Sequence, residues 1–157
     1  MLAGTAYLAH FLSSGTLEVR VRDAPADWAH VNVTFTEVWI HRAGSAEDDG
    51  WTSLSMEPTT IDFIALGNLT QLLALDRVPA GRYTQIRIVI SAAEGTLASG
   101  GAVALRIPDG ILKTSTSFLV PGGGIAAATL DIDLERSLVP TSGGWTFTPV
   151  LGSVQIS

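Results

Sequence analysis

Alternation of apolar and polar side chains along short segments is the sequence feature that most constrains the fold of this chain. In one such segment, Leu17, Val19 and Val21 alternate with charged residues. A period of two indicates a β-strand that buries one face, and similar segments recur between turns rich in glycine, proline and aspartate. We predict an all-β protein, an antiparallel β-sandwich of the Greek-key or prealbumin-like type with about nine strands and one short helix.

The longest strand is predicted at residues 30–42, where the apolar side chains change from one face to the other. Val31, Val33 and Phe35 occupy odd positions, whereas Val38 and Ile40 occupy even positions. The change predicts a β-bulge near residues 36 and 37, or a strand buried on both faces. Further strands are predicted at residues 15–22, 51–55, 59–63, 82–91, 113–120, 125–134 and 144–156, with a weak hairpin at 95–107.

The one helix is predicted at residues 64–76. Asn68 is a candidate cap for it, and its apolar stripe would consist of Leu69, Leu72, Leu73 and Leu75. Residues 23–27 contain a proline between aspartates and are interpreted as a turn. The three glycines at 122–124 are interpreted as a turn in which backbones approach closely, or as a hinge.

The first twelve residues, MLAGTAYLAHFL, form an apolar segment that has no acidic, lysine or arginine residue. As a helix they would extend about 18 Å, which is too short for the roughly 30 Å hydrocarbon core of a membrane. A soluble monomer rarely leaves such a segment in water. We interpret residues 1–14 as an assembly segment and residues 15–157 as a single β-sandwich domain, joined by a flexible hinge of Ser13, Ser14 and Gly15.

The composition excludes several classes of partner. The net charge is −6, so the chain lacks the basic surface that nucleic acids and anionic lipids require. Cysteine is absent, which excludes disulfides, cysteine-bound metals and a thiol nucleophile. Only 15% of the residues are charged, and glycine, serine and threonine are abundant. This balance is typical of strand-rich proteins outside the cell, and we predict an extracellular, cell-surface location.

Two sets of polar residues are candidate metal ligands. The carboxylates near turns could bind a hard cation, but their spacing matches no known calcium loop, and turn chemistry or pairing with arginines is favoured; they are Asp23, Asp27, Asp131, Asp133 and Glu135. His30, Glu37 and His41 lie on one predicted strand. Glu37 and His41 would be ~13 Å apart along it, too far for one zinc ion. We predict no metal and no cofactor.

No catalytic motif is present. No serine lies in a Gly-x-Ser-x-Gly or Ser-x-x-Lys context, and at 7% aromatic residues no aromatic-rich groove is evident. We therefore predict that the protein is not an enzyme and has no small-molecule substrate. Two triplets match the glycosylation sequon, and they place candidate attachment sites at Asn32 and Asn68.

Several segments of the chain resemble a known family. The segments are Gly15–Val21, Asp23–Asp27, Val31–Thr34, His41–Arg42, TIDF at 60–63, LALDRVPAGRYTQIRI at 73–88 and LDIDLERSLV at 130–139. They are similar to blocks of the domain-of-unknown-function 4382 family over about residues 15–155. The resemblance implies a secreted or surface-anchored β-sandwich, of the kind found in bacterial lipoproteins and archaeal surface proteins. It implies no activity, and this chain lacks the lipid-anchor cysteine of the bacterial pattern.

We predict that the protein is a structural subunit of an extracellular filament or surface appendage, a helical homopolymer of copies of itself. The apolar segment would pack head to tail into a neighbouring subunit and so propagate a fibre. It would act as a donated strand or as the end of a longer pilin-type helix. The predicted subunit interface consists of Leu2, Tyr7, Leu8, Phe11 and Leu12.

Two alternative functions stay open. The first is a membrane-tethered adhesion module that recognises glycans or a protein partner, and it requires a hydrophobic extension upstream of residue 1. The second is a soluble sandwich that folds the apolar segment into its own core, for example as an accessory domain.

Overall fold

The computed structural model describes residues 13–24, 28–67 and 69–157, and within them the chain forms thirteen strands and two short helices. The strands are β1 (Ser14–Ala24), β2 (Trp28–Arg42), β3 (Trp51–Leu54), β4 (Thr59–Asp62), β5 (Gln71–Pro79), β6 (Gly81–Leu97), β7 (Ala102–Arg106), β8 (Ile111–Thr114), β9 (Phe118–Val120), β10 (Ile125–Asp133), β11 (Leu138–Thr141), β12 (Gly144–Phe147) and β13 (Leu151–Ile156). The helices are α1 (Phe63–Leu66) and α2 (Leu134–Ser137).

The strands form two sheets that pack on each other. The smaller sheet has four strands in the order β13-β10-β1-β5. The larger has nine, with β11-β12-β7-β6-β2-β3 in order, β4 paired with β2, and β8 and β9 paired with β6. The predicted all-β sandwich is confirmed. Most pairs are antiparallel as predicted, but β1 with β10 and β12 with β7 are parallel.

The core lies between the inner faces of the two sheets. Leu17, Val19 and Val21 of β1 are fully buried, as their alternation predicts. On the opposite side Phe35 of β2 meets Phe63 of α1 edge to face, with ring centroids 6.0 Å apart. Burial of each large apolar side chain contributes about 1.5–3 kcal/mol, so these faces hold the sheets together.

Tyr83 fixes the turn between β5 and β6. Its hydroxyl donates to the carbonyl oxygen of Pro79 at 2.6 Å, and its ring stacks on Phe118 with centroids 5.5 Å apart. Burial raises the pKa of the Tyr83 hydroxyl, which keeps the group protonated as a donor. The Pro-Ala-Gly-Arg-Tyr run is therefore a corner of the sandwich in which side chain and backbone close the turn together.

The long strands β2 and β6 carry matched bulges. Their pairing skips Thr36 on β2 and Ser91 on β6. At this point the buried apolar side chains change from odd to even positions along β2, and those of β6 change in the same place. The bulge predicted near residues 36 and 37 is confirmed, and both strands keep their apolar side chains on the core side.

The helix predicted at residues 64–76 is wrong over most of its length. α1 ends at Leu66, and residues 71–79 form β5, which pairs with β1. Gly67 has a φ of 62° and ends the helix, and the hydrogen bonds to β1 outweigh the weak helix preference of the leucines. Leu69 and Leu75 are 66% and 48% exposed, so no buried helical stripe forms. The carboxylate of Asp62 caps α1, whereas Asn68 lies outside the described residues.

The predicted hinge is also corrected, because Ser14 and Gly15 belong to β1. The carbonyl oxygen of Ser14 accepts the N–H of Gly123 at 2.8 Å, and that of Ser13 accepts the N–H of Ala80 at 2.8 Å. A Cβ on Gly15 would lie 2.2 Å from the carbonyl oxygen of Pro121. Such close packing excludes a flexible joint at Ser14 and Gly15.

Two predicted strands are each divided in the structure. The segment 113–120 is split between β8 and β9, which both pair with β6. The segment 144–156 is split between β12 and β13, which belong to different sheets. The three glycines at 122–124 form the predicted turn, in which the N–H of Gly124 donates to the carbonyl of Pro121 at 3.1 Å.

Candidate binding surface on the larger sheet

The tryptophans divide into an inner and an outer pair. Trp28 and Trp145 pack edge to face on each other, with ring centroids 4.9 Å apart, and both lie against the core. Trp39 alternates with fully buried residues of β2, so its side chain points to the outer face of the larger sheet. Trp51 lies on the same outer face, on the adjacent strand β3.

We call the outer surface around Trp39 and Trp51 the tryptophan face. It contains an open depression of about 380 Å³, lined by Glu37, Trp39, Trp51, Arg87, Val89 and Ile111. An apolar and aromatic floor with a few placed polar groups is the usual composition of a ligand-binding depression. The tryptophan face is therefore the strongest candidate for a functional site among the described residues.

Adjacent strands position the groups of the tryptophan face. Two rows of paired residues cross β2, β6 and β8, namely Trp39–Arg87–Lys113 and Glu37–Val89–Ile111. Directly paired side chains lie about 5 Å apart, so each row is continuous. Because the backbone of every row is held in a hydrogen-bonded ladder, little further ordering is needed for binding.

The loop at residues 43–50 holds Trp51 in place. The indole N–H of Trp51 donates to the carbonyl oxygen of Glu47 at 2.7 Å. Beneath it, Nε2 of His41 donates to the carbonyl oxygen of Ala46 at 2.8 Å, and the His41 ring lies 4.7 Å from that of Trp51. The loop and Trp51 thus cover His41, which is only 5% exposed although it belongs to the outer face.

Arg87 is bound to Trp51 by a cation–π contact. Its Cζ lies 4.3 Å from the centroid of the indole, and its Nε is buried there with no hydrogen-bond partner in the structure. Within the described part of the chain, neither Arg87 nor Lys113 forms an ion pair. The remaining N–H donors of Arg87 therefore have no carboxylate partner among the described residues.

The other end of the same outer face is more polar, and its depressions are smaller. Asn32 and Glu94 line two adjoining depressions of about 240 and 250 Å³, whose walls include Thr34 and Thr60. Asn32 is half-buried in β2, between β4 and β6. Glycosylation of Asn32 stays a prediction, and the second sequon residue, Asn68, is outside the described residues.

The predicted subunit interface lies outside the described residues. It comprises Leu2, Tyr7, Leu8, Phe11 and Leu12, all within residues 1–12. Its role in assembly stays a prediction. No helix in the described part of the chain is both long enough and apolar enough to cross a membrane.

Two of the candidate carboxylates, Asp131 and Asp133, make ion-pair and turn contacts. Asp131 Oδ2 lies 3.4 Å from Nη2 of Arg22, and Asp133 caps α2 by accepting the N–H of Arg136 at 3.1 Å. Among the side chains that the structure describes, no three histidine, aspartate or glutamate residues are grouped as metal ligands. Asp27 and the side chain of Asp23 lie outside the described part of the chain.

His30 is brought to Asp62 instead of to Glu37 or His41. Its Nδ1 lies 2.7 Å from Oδ2 of Asp62, and this pair joins β2 to β4. Desolvation raises the pKa of Asp62, but the hydrogen bonds from His30 and from backbone N–H groups together lower it by more than desolvation raises it. The net result is a pKa below the usual value for an aspartate.

Sequence reasoning missed the tryptophan face because it weighed the number of aromatic residues and not their positions. The signal was present in the alternation: Trp39 has the opposite parity to Val38 and Ile40, and is therefore directed outwards. The pairing with Arg87 could not be found in this way, because it depends on the register of two strands far apart in sequence.

Comparison with known proteins identifies the family. The family model of a domain of unknown function, DUF4382, matches residues 14–149. The chain belongs to the DUF4382 family. No curated protein matches it. A solved structure from Bacteroides ovatus, of a proposed cell adhesion protein, is 12% identical with a TM-score of 0.31. The match covers 91% of this DUF4382 chain and 45% of the other, so this chain spans less than half of that protein.

Proposed function

We propose that this DUF4382 domain lies at the outer surface of the cell and acts by binding a partner, a glycan or another protein, and not by catalysis. The observation that carries the proposal is the tryptophan face, where Trp39, Trp51 and Arg87 meet on the outer side of the larger sheet. Tryptophan and arginine are the residue types that contribute most binding energy at interfaces.

A comparison within one strand supports a binding role. Thr34 and Trp39 both point outwards from β2, and at Thr34 a small polar side chain is sufficient for the solvent side of a sheet. Trp39 instead adds a large apolar surface that the core does not use. A grouped set of apolar and aromatic side chains on a solvent face is typical of a site that another molecule covers.

The composition supports the proposed location. Only 15% of the residues are charged, and the fold is a strand-rich sandwich with many glycines, serines and threonines. The resemblance to secreted and surface-anchored members of the DUF4382 family agrees with this composition. Fractionation of source cells, followed by detection of the protein on intact cells, tests the location.

An adhesion assay with a single substitution tests the binding function. Beads coated with the purified protein are expected to adhere to cell envelopes of the source organism, and Trp39→Ala is expected to reduce adhesion at least about tenfold. Leu119→Ala is the matched control, because Leu119 is 56% exposed on the larger sheet but does not line the tryptophan face. Equal adhesion by wild type and Trp39→Ala would contradict the proposal.

A second candidate function is self-assembly into an extracellular filament through residues 1–12. Its support is the outer edge of β13 in the smaller sheet, which pairs with no other described strand. Ile156 pairs with Ala128, which is fully buried, so Ile156 lies on the core side of β13, yet it is 38% exposed. A strand added along this edge would cover Ile156 and pair with the backbone of β13.

Negative-stain electron microscopy tests the filament. Regular fibres from the full chain, absent when residues 1–12 are deleted, would support assembly through the apolar segment. The deletion leaves every described strand intact, so its thermal melting should show a folded domain. Fibres that persist after the deletion would exclude a donated segment.

A further inference from the structure

We propose that the ligand of the tryptophan face is a neutral saccharide, which packs on Trp39 between the carboxylate of Glu37 and the guanidinium of Arg87. This inference rests on the proposed binding function and names the ligand class of the same site. It follows from the size of the depression, the chemistry of its lining and the balance of charges around it.

The size of the depression suits a small ligand. Its volume of about 380 Å³ lies within the range of about 300–1,000 Å³ that small-molecule sites occupy. A protein partner of standard size would cover about 800 Å² of one surface. Here the apolar area is bounded by the loop 43–50 on one side and by the polar residues around Thr34 on the other.

The lining matches the two kinds of surface that a sugar ring presents. The ring has a face of C–H bonds, whose partially positive hydrogens pack favourably on the negative face of an indole such as Trp39. Its hydroxyl groups both donate and accept hydrogen bonds. Glu37 offers two acceptor oxygens and Arg87 several donors, and both groups are planar and suited to pairs of adjacent hydroxyls.

Arg87 can donate hydrogen bonds to a sugar while it remains in contact with Trp51. The Cζ of Arg87 lies over the indole at 4.3 Å from its centroid, and a guanidinium donates its hydrogen bonds from its edge. The contact also holds the side chain in one orientation, with Trp51 itself fixed by Glu47. A preorganised donor loses little conformational entropy when a ligand binds.

The charges around the tryptophan face favour an uncharged ligand. Two cations, Arg87 and Lys113, are adjacent on β6 and β8. The carboxylate of Glu37 lines the same depression. The loop at 43–50, which binds Trp51 through the carbonyl of Glu47, carries three further acidic residues, Glu47, Asp48 and Asp49. An acidic polysaccharide would meet these carboxylates, and a cationic ligand would meet Arg87 and Lys113. A neutral saccharide would be repelled by neither the carboxylates nor the two cations.

Calorimetric titration of the full chain tests the ligand class. The probes are neutral oligosaccharides of glucose, galactose, mannose and N-acetylglucosamine, with oligogalacturonate as the acidic probe. We expect binding of at least one neutral oligosaccharide, weakened at least about tenfold by Trp39→Ala and unchanged by Leu119→Ala. Between about 50 mM and 500 mM salt, the dissociation constant should change by less than about twofold, because no net charge is neutralised.

Additional measurements separate loss of binding from loss of folding. Trp39→Ala should melt as a folded domain, since Trp39 lies outside the core. Glu37→Gln keeps one acceptor oxygen and should weaken binding less than Glu37→Ala does. Saccharide binding should also change the wild-type tryptophan fluorescence, and this change should be much smaller in Trp39→Ala.

The results distinguish failure of this inference from failure of the proposed function. If Trp39→Ala abolishes adhesion but no neutral oligosaccharide binds, the binding function stands and the ligand class is wrong, as it would be for a protein partner. Binding of oligogalacturonate alone, with a steep salt dependence, would also overturn the neutral ligand. If neither adhesion nor saccharide binding depends on Trp39, both proposals fail.

Discussion

Replacement of Gly15 by alanine tests whether the beginning of β1 is a packed part of the sandwich. A Cβ at this position would lie 2.2 Å from the carbonyl oxygen of Pro121 and 2.7 Å from Cγ1 of Val120. The Pro121 carbonyl also accepts the N–H of Gly124, which holds the turn at this distance. The closer overlap is with backbone, so it can be relieved only by moving β1 away from the turn.

The size of the effect follows from these contacts. Overpacking costs about 1–3 kcal/mol, and a clash with backbone places Gly15→Ala near 3 kcal/mol. The lower entropy of the unfolded alanine chain offsets about 0.4–1 kcal/mol. The net loss in the free energy of unfolding is then about 2–2.5 kcal/mol, which lowers the melting temperature by roughly 4–10 °C in a domain of this size.

Urea unfolding followed by tryptophan fluorescence measures this loss. Gly143→Ala is the matched control, because a Cβ there has no atom within 4 Å and its φ is not in the left-handed region. We expect the control to change stability by less than about 0.5 kcal/mol. If Gly15→Ala were as stable as Gly143→Ala, the packing argument would be refuted and the start of β1 would have the freedom of a hinge.

Two further predictions concern single polar groups. Tyr83→Phe leaves the Pro79 carbonyl without its donor and should lower the free energy of unfolding by about 1–2 kcal/mol in the same urea assay; an unchanged midpoint would count against the bond. The lowered pKa of Asp62 contributes stability above its unfolded pKa of about 3.9, and this is lost as the pH falls through the lower folded pKa. Acid titration of stability should therefore show this loss in wild type and not in Asp62→Asn, and identical profiles would refute it.

The parts of the fold that could be predicted are those determined by local pattern. β1 and β2 follow directly from the alternation of buried and exposed residues, and the change of parity after Phe35 located the bulge. β5 could not be predicted, because its leucines suit a helix equally well and only pairing with β1 makes them a strand. The separation of β12 and β13 into different sheets likewise depends on tertiary contacts.

The same distinction applies to the candidate site, where only the features set by local pattern could be predicted. That Trp39 points outwards was available from the sequence, since its neighbours on β2 are apolar and have the other parity. The pairing of Trp39 with Arg87 and the contact of Arg87 with Trp51 depend on the registers of three strands, which the sequence does not show. The packing at the predicted hinge could not be predicted for a similar reason. The turn that packs closely on Gly15 lies more than a hundred residues away in sequence.

The matched bulges in β2 and β6 amount to one inserted residue in each of two paired strands. Without Thr36 and Ser91, the alternation of both strands would continue unbroken through this point, and the pairing of Trp39 with Arg87 would be unchanged. Loss of either residue alone would slide one strand past the other by one position and turn its apolar side chains towards solvent. Insertions and deletions at this point are therefore expected to occur in both strands together, so that one strand's length constrains the other's.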